Sequence, residues 1–566
     1  MTSHGRSERE PRDPEVAPTI NHDRKSLWLS RGRDIGVAVF AAAMILLATP
    51  PVDLWPLGLV GLIALHLGTR DASTNRALFV GWVCGFIVNA VAFSWGSDLV
   101  RRFVHISATE SAAIVIALAV YQAVVFALWL GAASLLQRRL GVSRIVSAPL
   151  AIIVAEASVP FIFPWYLAII AVPAWPVLQV AELGGPPAVS GFLVLITAVA
   201  AEGLVLLTNR LRAVDSSVLS FAFGVRNAAS SRHVGVGAIV AAAIFAAGLA
   251  RAGHVAWARD SAPTVRVGVV QPNFGIVSPK ARTERGAEYM KALRDATAEA
   301  SQSGATLIVW PESAFPFLID RDLDREYPPG HPWELRASHS GRLLVGALTH
   351  EFGTSVVENS TVLISDHGKI TGIYDKTRLL AFGEYVPFAD RYPEWAADMR
   401  ARMDDWPEIV PGTGPRILKD GNLRIASLIC YEDLLPDYVH QAARKNPNLL
   451  VTSANHAWFG TSAAAPQALA LATLRGVETR RDFVRATATG VSSISDALGR
   501  VSQTTRLFDG DPDSKDPAEV IVGDVALMEV FALAPHFAWL FPYLCGAGLL
   551  WVGVRASNKR RALQKS

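Results

Sequence analysis

The sequence predicts a polytopic α-helical membrane bundle of about eight spans that carries an extracytoplasmic α/β domain between its seventh and eighth spans. Three observations lead there. Apolar runs of helical length recur through the first 250 residues and again near the C-terminus. Between them, from Thr264, short β-branched runs alternate with amphipathic helical patterns. The 51% hydrophobic content and mean hydropathy of +0.29 exceed what a soluble chain of 566 residues carries.

The apolar runs fall at residues 37–47, 54–67, 77–93, 112–136, 145–162, 190–207, 234–249 and 531–554. Pro50, Pro51 and Pro56 make the first two a tight helical hairpin, and the stretch 154–173 is kinked or partly re-entrant. Arginine and lysine orient them. Arg24, Lys25, Arg31 and Arg33 precede the first run, Arg70 and Arg76 follow the second, Arg138, Arg139 and Arg144 follow the fourth, and Arg210, Arg212, Arg226 and Arg232 follow the sixth. Arg555, Lys559, Arg560, Arg561 and Lys565 follow the last, whereas the opposite short loops offer little beyond Arg101 and Arg102. Both termini are therefore expected in the cytoplasm. Ala48-Thr49-Pro50-Pro51 is a poor cleavage site, so the first run is expected to be a retained span and not a signal peptide.

The division that follows is a cytoplasmic, disordered tail at 1–34, a bundle at 35–253, an α/β domain at 254–530, a last helix at 531–554 and a basic cytoplasmic tail at 555–566. In the α/β domain, strands are predicted at 265–270, 306–310, 343–348, 360–365, 423–429, 449–453, 484–487 and 492–496. Helices are predicted at 281–301, 434–445 and 466–479, and His367-Gly368 marks a hairpin turn.

A formal net charge of +3, scattered between apolar runs, excludes a nucleic-acid footprint. No His-Glu-x-x-His or paired-cysteine cluster offers a metal site. Cys84 and Cys545 lie in apolar runs, which leaves Cys430 alone in the polar segment, without a partner for an intradomain disulfide. If that segment faces an oxidising compartment, a lone thiol is a liability, which raises a reactive role above what packing alone suggests, although a small buried apolar residue is the commoner reading of an isolated cysteine.

Three residues stand where strands give way to loops: Glu312 after Leu307-Ile308-Val309-Trp310-Pro311, Lys376 after Ile373-Tyr374, and Cys430 after Ile425-Ala426-Ser427-Leu428-Ile429. Together they suit nucleophilic catalysis. A carboxylate takes the thiol proton, an ammonium stabilises thiolate and oxyanion, and the Tyr431 backbone N–H completes the oxyanion site. Taken singly, each is more often a loop, cap or surface residue.

Trp310-Pro311-Glu312-Ser313-Ala314, Tyr374-Asp375-Lys376, Phe382-Gly383-Glu384-Tyr385-Val386-Pro387 and Ile429-Cys430-Tyr431-Glu432 resemble the nitrilase superfamily and, more narrowly, the apolipoprotein N-acyltransferases. Asp53-Leu54-Trp55-Pro56, Phe163-Pro164-Trp165 and Asn455-His456-Ala457-Trp458-Phe459-Gly460 extend the likeness over nearly the whole chain. The resemblance implies an αββα sandwich with a Glu312, Lys376 and Cys430 triad, and supporting roles for Glu384, Tyr431, Glu432 and Asn359. It also implies a phospholipid acyl donor, a diacylglyceryl apolipoprotein acceptor, no cofactor, and a place in the bacterial inner membrane with the domain on the periplasmic face. The chain departs from the family pattern at Ile276, His456, Ala468 and Ala488, changes that bear on substrate choice and rate. Two competing readings share these residues: a membrane-tethered amidase in which water resolves the thioester, and a catalytically silent envelope scaffold. Two connections, 315–333 and 388–406, mix aromatics with charges and read either as membrane-facing arms or as loops packed on the domain.

Overall fold

The computed structural model describes residues 20–214, 230–275, 279–354, 356–381, 383–386, 388–402, 409–508 and 517–565. The tail at 1–19, Ile276, Phe382, Pro387, residues 403–406 and Asp511 lie outside them. The first half is helical. Helices Ile20–Leu47, Trp55–Thr69, Thr74–Ala92, Ala108–Gln122 with Val124–Leu140, Arg144–Ser158, Ala181–Val214 and Ser231–Asp260 occupy the first seven predicted positions, and Phe541–Lys565 the eighth. Among the described residues, four stretches are long and apolar enough to cross a membrane: Thr74–Ala92, Ala108–Leu140, Ala181–Leu211 and Ser231–Asp260. The rest are shorter or carry charge at one end.

Local chemistry sets the helix ends. Ser73, Ser107, Ser143 and Ser230 each cap an N-terminus, Ser107 in a reciprocal box with Glu110. Gly141, at φ +69°, closes Val124–Leu140. Gly61 lets the first two helices meet, since a Cβ there would lie 2.8 Å from the Ala41 carbonyl oxygen. The first helix begins at Ile20, inside the stretch expected to be a disordered tail, and Arg24, Lys25 and Arg31 are residue types that favour helix ahead of the apolar run. The predicted 145–162 span ends at Ser158, and the chain returns through the buried turn Leu167–Ala171. Gly184 and Gly185 kink the helix that follows. Two arginines counted for orientation are interior instead: Arg70 forks onto Glu202 at 2.9 and 3.0 Å, and Arg144 donates to the His66 carbonyl and Thr69 at 2.9 Å each.

From Thr264 the chain builds two sheets. The strands are β1 Thr264–Gln271, β2 Leu307–Val309, β3 Leu318–Asp320, β4 Arg342–His350, β5 Val357–Ile364, β6 Ile370–Asp375, β7 Ile417–Asp420, β8 Leu423–Ile429, β9 Leu449–Ala454, β10 Phe483–Thr487, β11 Ser493–Ser495, β12 Val501–Thr504 and β13 Glu519–Ala526. One sheet runs β13-β1-β2-β4-β5-β6 with β3 beside β4, and the other runs β12-β11-β10-β9-β8-β7. All eight predicted strands are present, and β6 is the second arm of the hairpin predicted at His367-Gly368. β3, β7, β12 and β13 were missed, three of them four residues or shorter.

The core lies between the sheets, where Val267, Val309, Leu344 and Leu363 meet Ile425, Ile429, Val451 and Val484. Helix Gly286–Gln302 covers the first sheet's outer face through Met290, Leu293 and Ala300. Helices Pro436–Ala443 and Ala464–Thr479 cover the second's through Tyr438, Val439 and Ala472. The layering is helix, sheet, sheet, helix. Predicted helix 281–301 is broken at Arg285, and predicted helix 434–445 starts at Pro436 because Cys430–Leu434 forms a tight 3-10 turn.

Ala464–Thr479 serves two cores. Its Ala470, Leu471, Leu474 and Val477 join the bundle cluster while Ala472 faces β10, which explains a helix buried on every side. The next residues clasp the units together. Arg480 donates to Glu182 and Gln179 of the bundle at 2.8 and 2.7 Å, and Asp482 accepts from Arg259 of the seventh helix at 2.8 Å. Of the two aromatic connections, the first packs on the domain through Phe317 stacked on Trp333 at 4.8 Å. The second turns outward, with Phe388 72% and Tyr392 54% exposed.

Glu182 holds two guanidiniums, Arg480 at 0% and Arg251 at 29% side-chain exposure. Glu182→Gln strands the buried one and should cost about 3–5 kcal/mol. Arg251→Gln should cost much less, and the apparent thermal unfolding midpoints in detergent compare the two.

Candidate active site

The C-terminal ends of β2, β6 and β8 converge on one spot. Pro311 and Glu312 leave β2 beside Gly346 of β4, where a Cβ would sit 2.0 Å from the Pro311 carbonyl oxygen, so only glycine lets the Glu312 loop pass. The backbone of Lys376 is held at both ends: its N–H donates to Asn359 O at 2.8 Å, and its carbonyl accepts from Gly412 N at 2.9 Å. Cys430 follows β8 with φ +53°, a left-handed turn strained for any residue with a side chain. That turn lifts the half-buried thiol off the strand end.

Lys376 is 2% exposed and lies between two carboxylates, with Nζ 2.9 Å from Glu312 Oε1 and 2.8 Å from Glu384 Oε1. Asn359 Nδ2 donates to the same two oxygens at 2.8 and 3.1 Å. Burial works against the ammonium, but Glu312 and Glu384 outweigh it and hold Lys376 well above the usual lysine range. The two acids differ. Glu384 Oε2 accepts the Leu380 N–H at 2.8 Å, whereas Glu312 Oε2 has no hydrogen-bond donor among the described residues. Cys430 stands in the field of this cluster: burial and Glu312 push its thiol up, Lys376 pulls it down, and Glu384 pushes it up again. The net direction is up, so the resting group is a neutral thiol that needs a base.

Glu432 acts below the site. Its Oε1 accepts from Thr377 N and Arg378 N at 2.8 and 2.9 Å, and its Oε2 from Ile429 N and Tyr374 Oη at 2.8 and 2.6 Å. Burial pushes this carboxyl up to about 7 while the four donors pull against it. One side chain thus ties the Lys376 loop to the Cys430 turn. Tyr431 points the other way, toward the bundle, with its hydroxyl 3.5 Å from the Ile162 carbonyl.

Cys430 and Tyr431 open on a narrow cleft shared by both halves of the molecule. Phe93, Trp95, Phe163 and Trp165 wall it from the bundle, and Leu380, Leu434 and Phe459 from the sheets. Trp95 Nε1 donates to Gln467 at 3.3 Å and packs edge-on against Phe459, bridging the two. A smaller cleft on the far side of Glu312 is lined by Phe274, Arg282, Tyr289 and Trp458. Three of the departures from the family pattern face these spaces: His456 and Ala468 the first, Ala488 the second. Ile276 lies outside the described residues.

Sequence reasoning missed the polar floor of the main cleft. Arg485 Nε donates to Asp433 at 2.8 Å and its Nη2 lies 2.9 Å from His456 Nε2. Burial and then Arg485 hold His456 well below the usual histidine range, so it accepts that bond as a neutral ring. The available signal was an arginine inside the buried strand Phe483–Thr487. No cluster of three or more His, Cys, Asp or Glu able to hold a metal occurs among the described residues.

Residues 41–199 match the apolipoprotein N-acyltransferase N-terminal domain, and residues 266–530 the carbon-nitrogen hydrolase family. Among solved structures, Nit3 of Saccharomyces cerevisiae, a member of the nitrilase superfamily, aligns at 16% identity over 46% of this chain and 90% of its own, with a TM-score of 0.32. An apolipoprotein N-acyltransferase of Pseudomonas syringae pv. tomato is 29% identical over 90% of this chain and 94% of its own length. That of Azotobacter vinelandii is 30% identical over 94% of this chain and 97% of its own, so the likeness takes in bundle, sheets and last helix together, and the chain belongs to the apolipoprotein N-acyltransferase family.

Proposed function

We propose that the protein moves an acyl chain from a membrane phospholipid, through a thioester on Cys430, to the N-terminal α-amino group of a diacylglyceryl-cysteine apolipoprotein. The observation that carries this reading is the asymmetry of the two acids: both Glu384 oxygens are engaged, while Glu312 has one oxygen with no donor among the described residues, in the field of a neutral thiol. A carboxylate with an open oxygen is a base, and one with both engaged is a positioning group.

In the first half-reaction Glu312 takes the Cys430 proton as sulfur attacks the ester carbonyl. The oxyanion forms against the Lys376 ammonium and the Tyr431 N–H, a contribution of roughly 3 to 4 kcal/mol per well-placed donor. The ester C–O bond then breaks, and Glu312 returns its proton to the departing lysophospholipid oxygen. In the second, the α-amine attacks the thioester and loses a proton to Glu312. The C–S bond breaks, and the thiolate recovers the proton. Lys376 keeps its charge throughout because Glu384 remains beside it. The aromatic cleft open to the bundle suits a lipid chain, which an amidase acting on small polar substrates does not require.

The topology belongs to the same reading. Eight spans with both termini in the cytoplasm and the sheets on the periplasmic face are supported by the joining of Arg139 and Arg560, which brings two of the basic clusters to one end of the bundle.

Incubation with phospholipid alone should add the mass of one acyl chain to Cys430 in a hydroxylamine-sensitive bond, and an acceptor amine should discharge it. Cys430→Ala should show neither event. Discharge by water as fast as by amine would favour the amidase instead. Glu384→Gln should stay folded yet lower transfer about 10²-fold or more, through a displaced Lys376; wild-type turnover would remove Glu384 from the machinery. A reporter fused after Ser566 should read cytoplasm and one at Asp511 the opposite compartment; a shared compartment would sink the eight-span arrangement.

A further inference from the structure

At the end of the bundle away from the sheets lies a pocket that acyl transfer does not use. Arg138 and Arg139 close helix Val124–Leu140, His233 opens the seventh helix, and Arg555, Lys559 and Arg560 ride on the last, all around one open groove. The seventh helix runs from this pocket to Asp260, just before β1, and its 30 residues at roughly 1.5 Å each span about a bilayer's thickness. The remainder of the wall is apolar, with Val142, Val146, Trp551 and Val552.

Orienting a helix requires only that cations lie near its end. Here they are gathered face to face. Arg560 reaches across to the Arg139 carbonyl at 2.6 Å, and Arg555 lies over the Trp551 ring at 5.1 Å. Among the described residues, none of the five Arg and Lys side chains forms an ion pair with a carboxylate. All five side chains are exposed, and an anion seated among them would relieve the repulsion of like charges that share one groove. Trp551, 61% exposed, is suited to the level of lipid headgroups and leaves an apolar strip for chains.

We propose that this pocket holds the headgroup phosphate of an anionic phospholipid, its chains along the Trp551 side, and that this lipid fastens the last helix to the bundle. Anionic lipid is favoured over zwitterionic, because the latter's ammonium would enter a space already crowded with cations. The last helix packs on the bundle beside this groove, where a Cβ on Gly553 would make ordinary contact with Leu140 Cδ1 at 3.5 Å. The lipid is thus separate from the acyl donor at Cys430.

The test is native mass spectrometry of the delipidated full-length protein, titrated with phosphatidylglycerol, phosphatidylcholine and inorganic phosphate. Phosphatidylglycerol should bind saturably and the other two weakly. Combined Arg139→Gln, Arg555→Gln and Arg560→Gln should weaken it at least about tenfold. A charge-matched control, Arg31→Gln, Arg33→Gln and Arg210→Gln, should bind as wild type, and Cys430 acylation in both triples shows that they fold. Equal weakening by the control would reduce the effect to general surface charge and overturn the proposal. So would undiminished binding by the pocket variant. On the wild type alone, equal binding of phosphatidylcholine would overturn it, and phosphate binding as tight as the lipid would make this a small-anion site.

Discussion

A lysine ammonium at 2% exposure is the constraint around which the catalytic half is organised. An unpaired charge in that position would cost several kcal/mol or lose its proton. Two carboxylates and the Asn359 amide prevent this, and each must be delivered from a different element: Glu312 from the end of β2, Asn359 from β5, Glu384 from the loop after β6. The strand order that places β2, β4, β5 and β6 side by side is what lets them meet. The proposed mechanism would use the same balance: with two negative charges around one positive, a proton can travel between sulfur and Glu312 while Lys376 stays charged.

A second device keeps the Cys430 thiol in register with that cluster. Glu432 spends no oxygen on the reacting atoms; its four donors come from the Lys376 loop, the Cys430 turn and Tyr374. The left-handed backbone at Cys430 is strained, and a buried carboxylate accepting the Ile429 N–H is what holds such a turn in place. Thiol, ammonium and base come from two different sheets, and this side chain couples them.

The third dependence is on the membrane half. The main cleft has walls from both halves, so its shape exists only while the sheets are seated on the bundle. Helix Ala464–Thr479, buried on every side, and the Arg480 and Asp482 contacts that follow it provide that seat. Burying so many charges at a junction is a weak way to add stability but a specific way to set orientation, because each guanidinium accepts only a narrow geometry.

Much was legible beforehand. Eight apolar runs, eight strands and the order of Glu312, Lys376 and Cys430 could be read from periodicity and punctuation, which depend on neighbours in sequence. The four missed strands are short or lie beside a polar stretch, so their pairing comes from partners far along the chain, as β13 does with β1. Arg70 and Arg144 looked like surface markers of orientation, and only packing revealed them as interior ties, since a charge pattern does not say which way a side chain points. The same holds at the site. Residue types and spacing determined that a thiol, a carboxylate and an ammonium were available. How Glu312 and Glu384 share Lys376 and Asn359, that Glu432 binds two loops together, and that Arg485 and His456 floor a cleft half-built by the membrane helices were decided by tertiary structure, because each depends on groups brought together from tens to hundreds of residues apart in the chain.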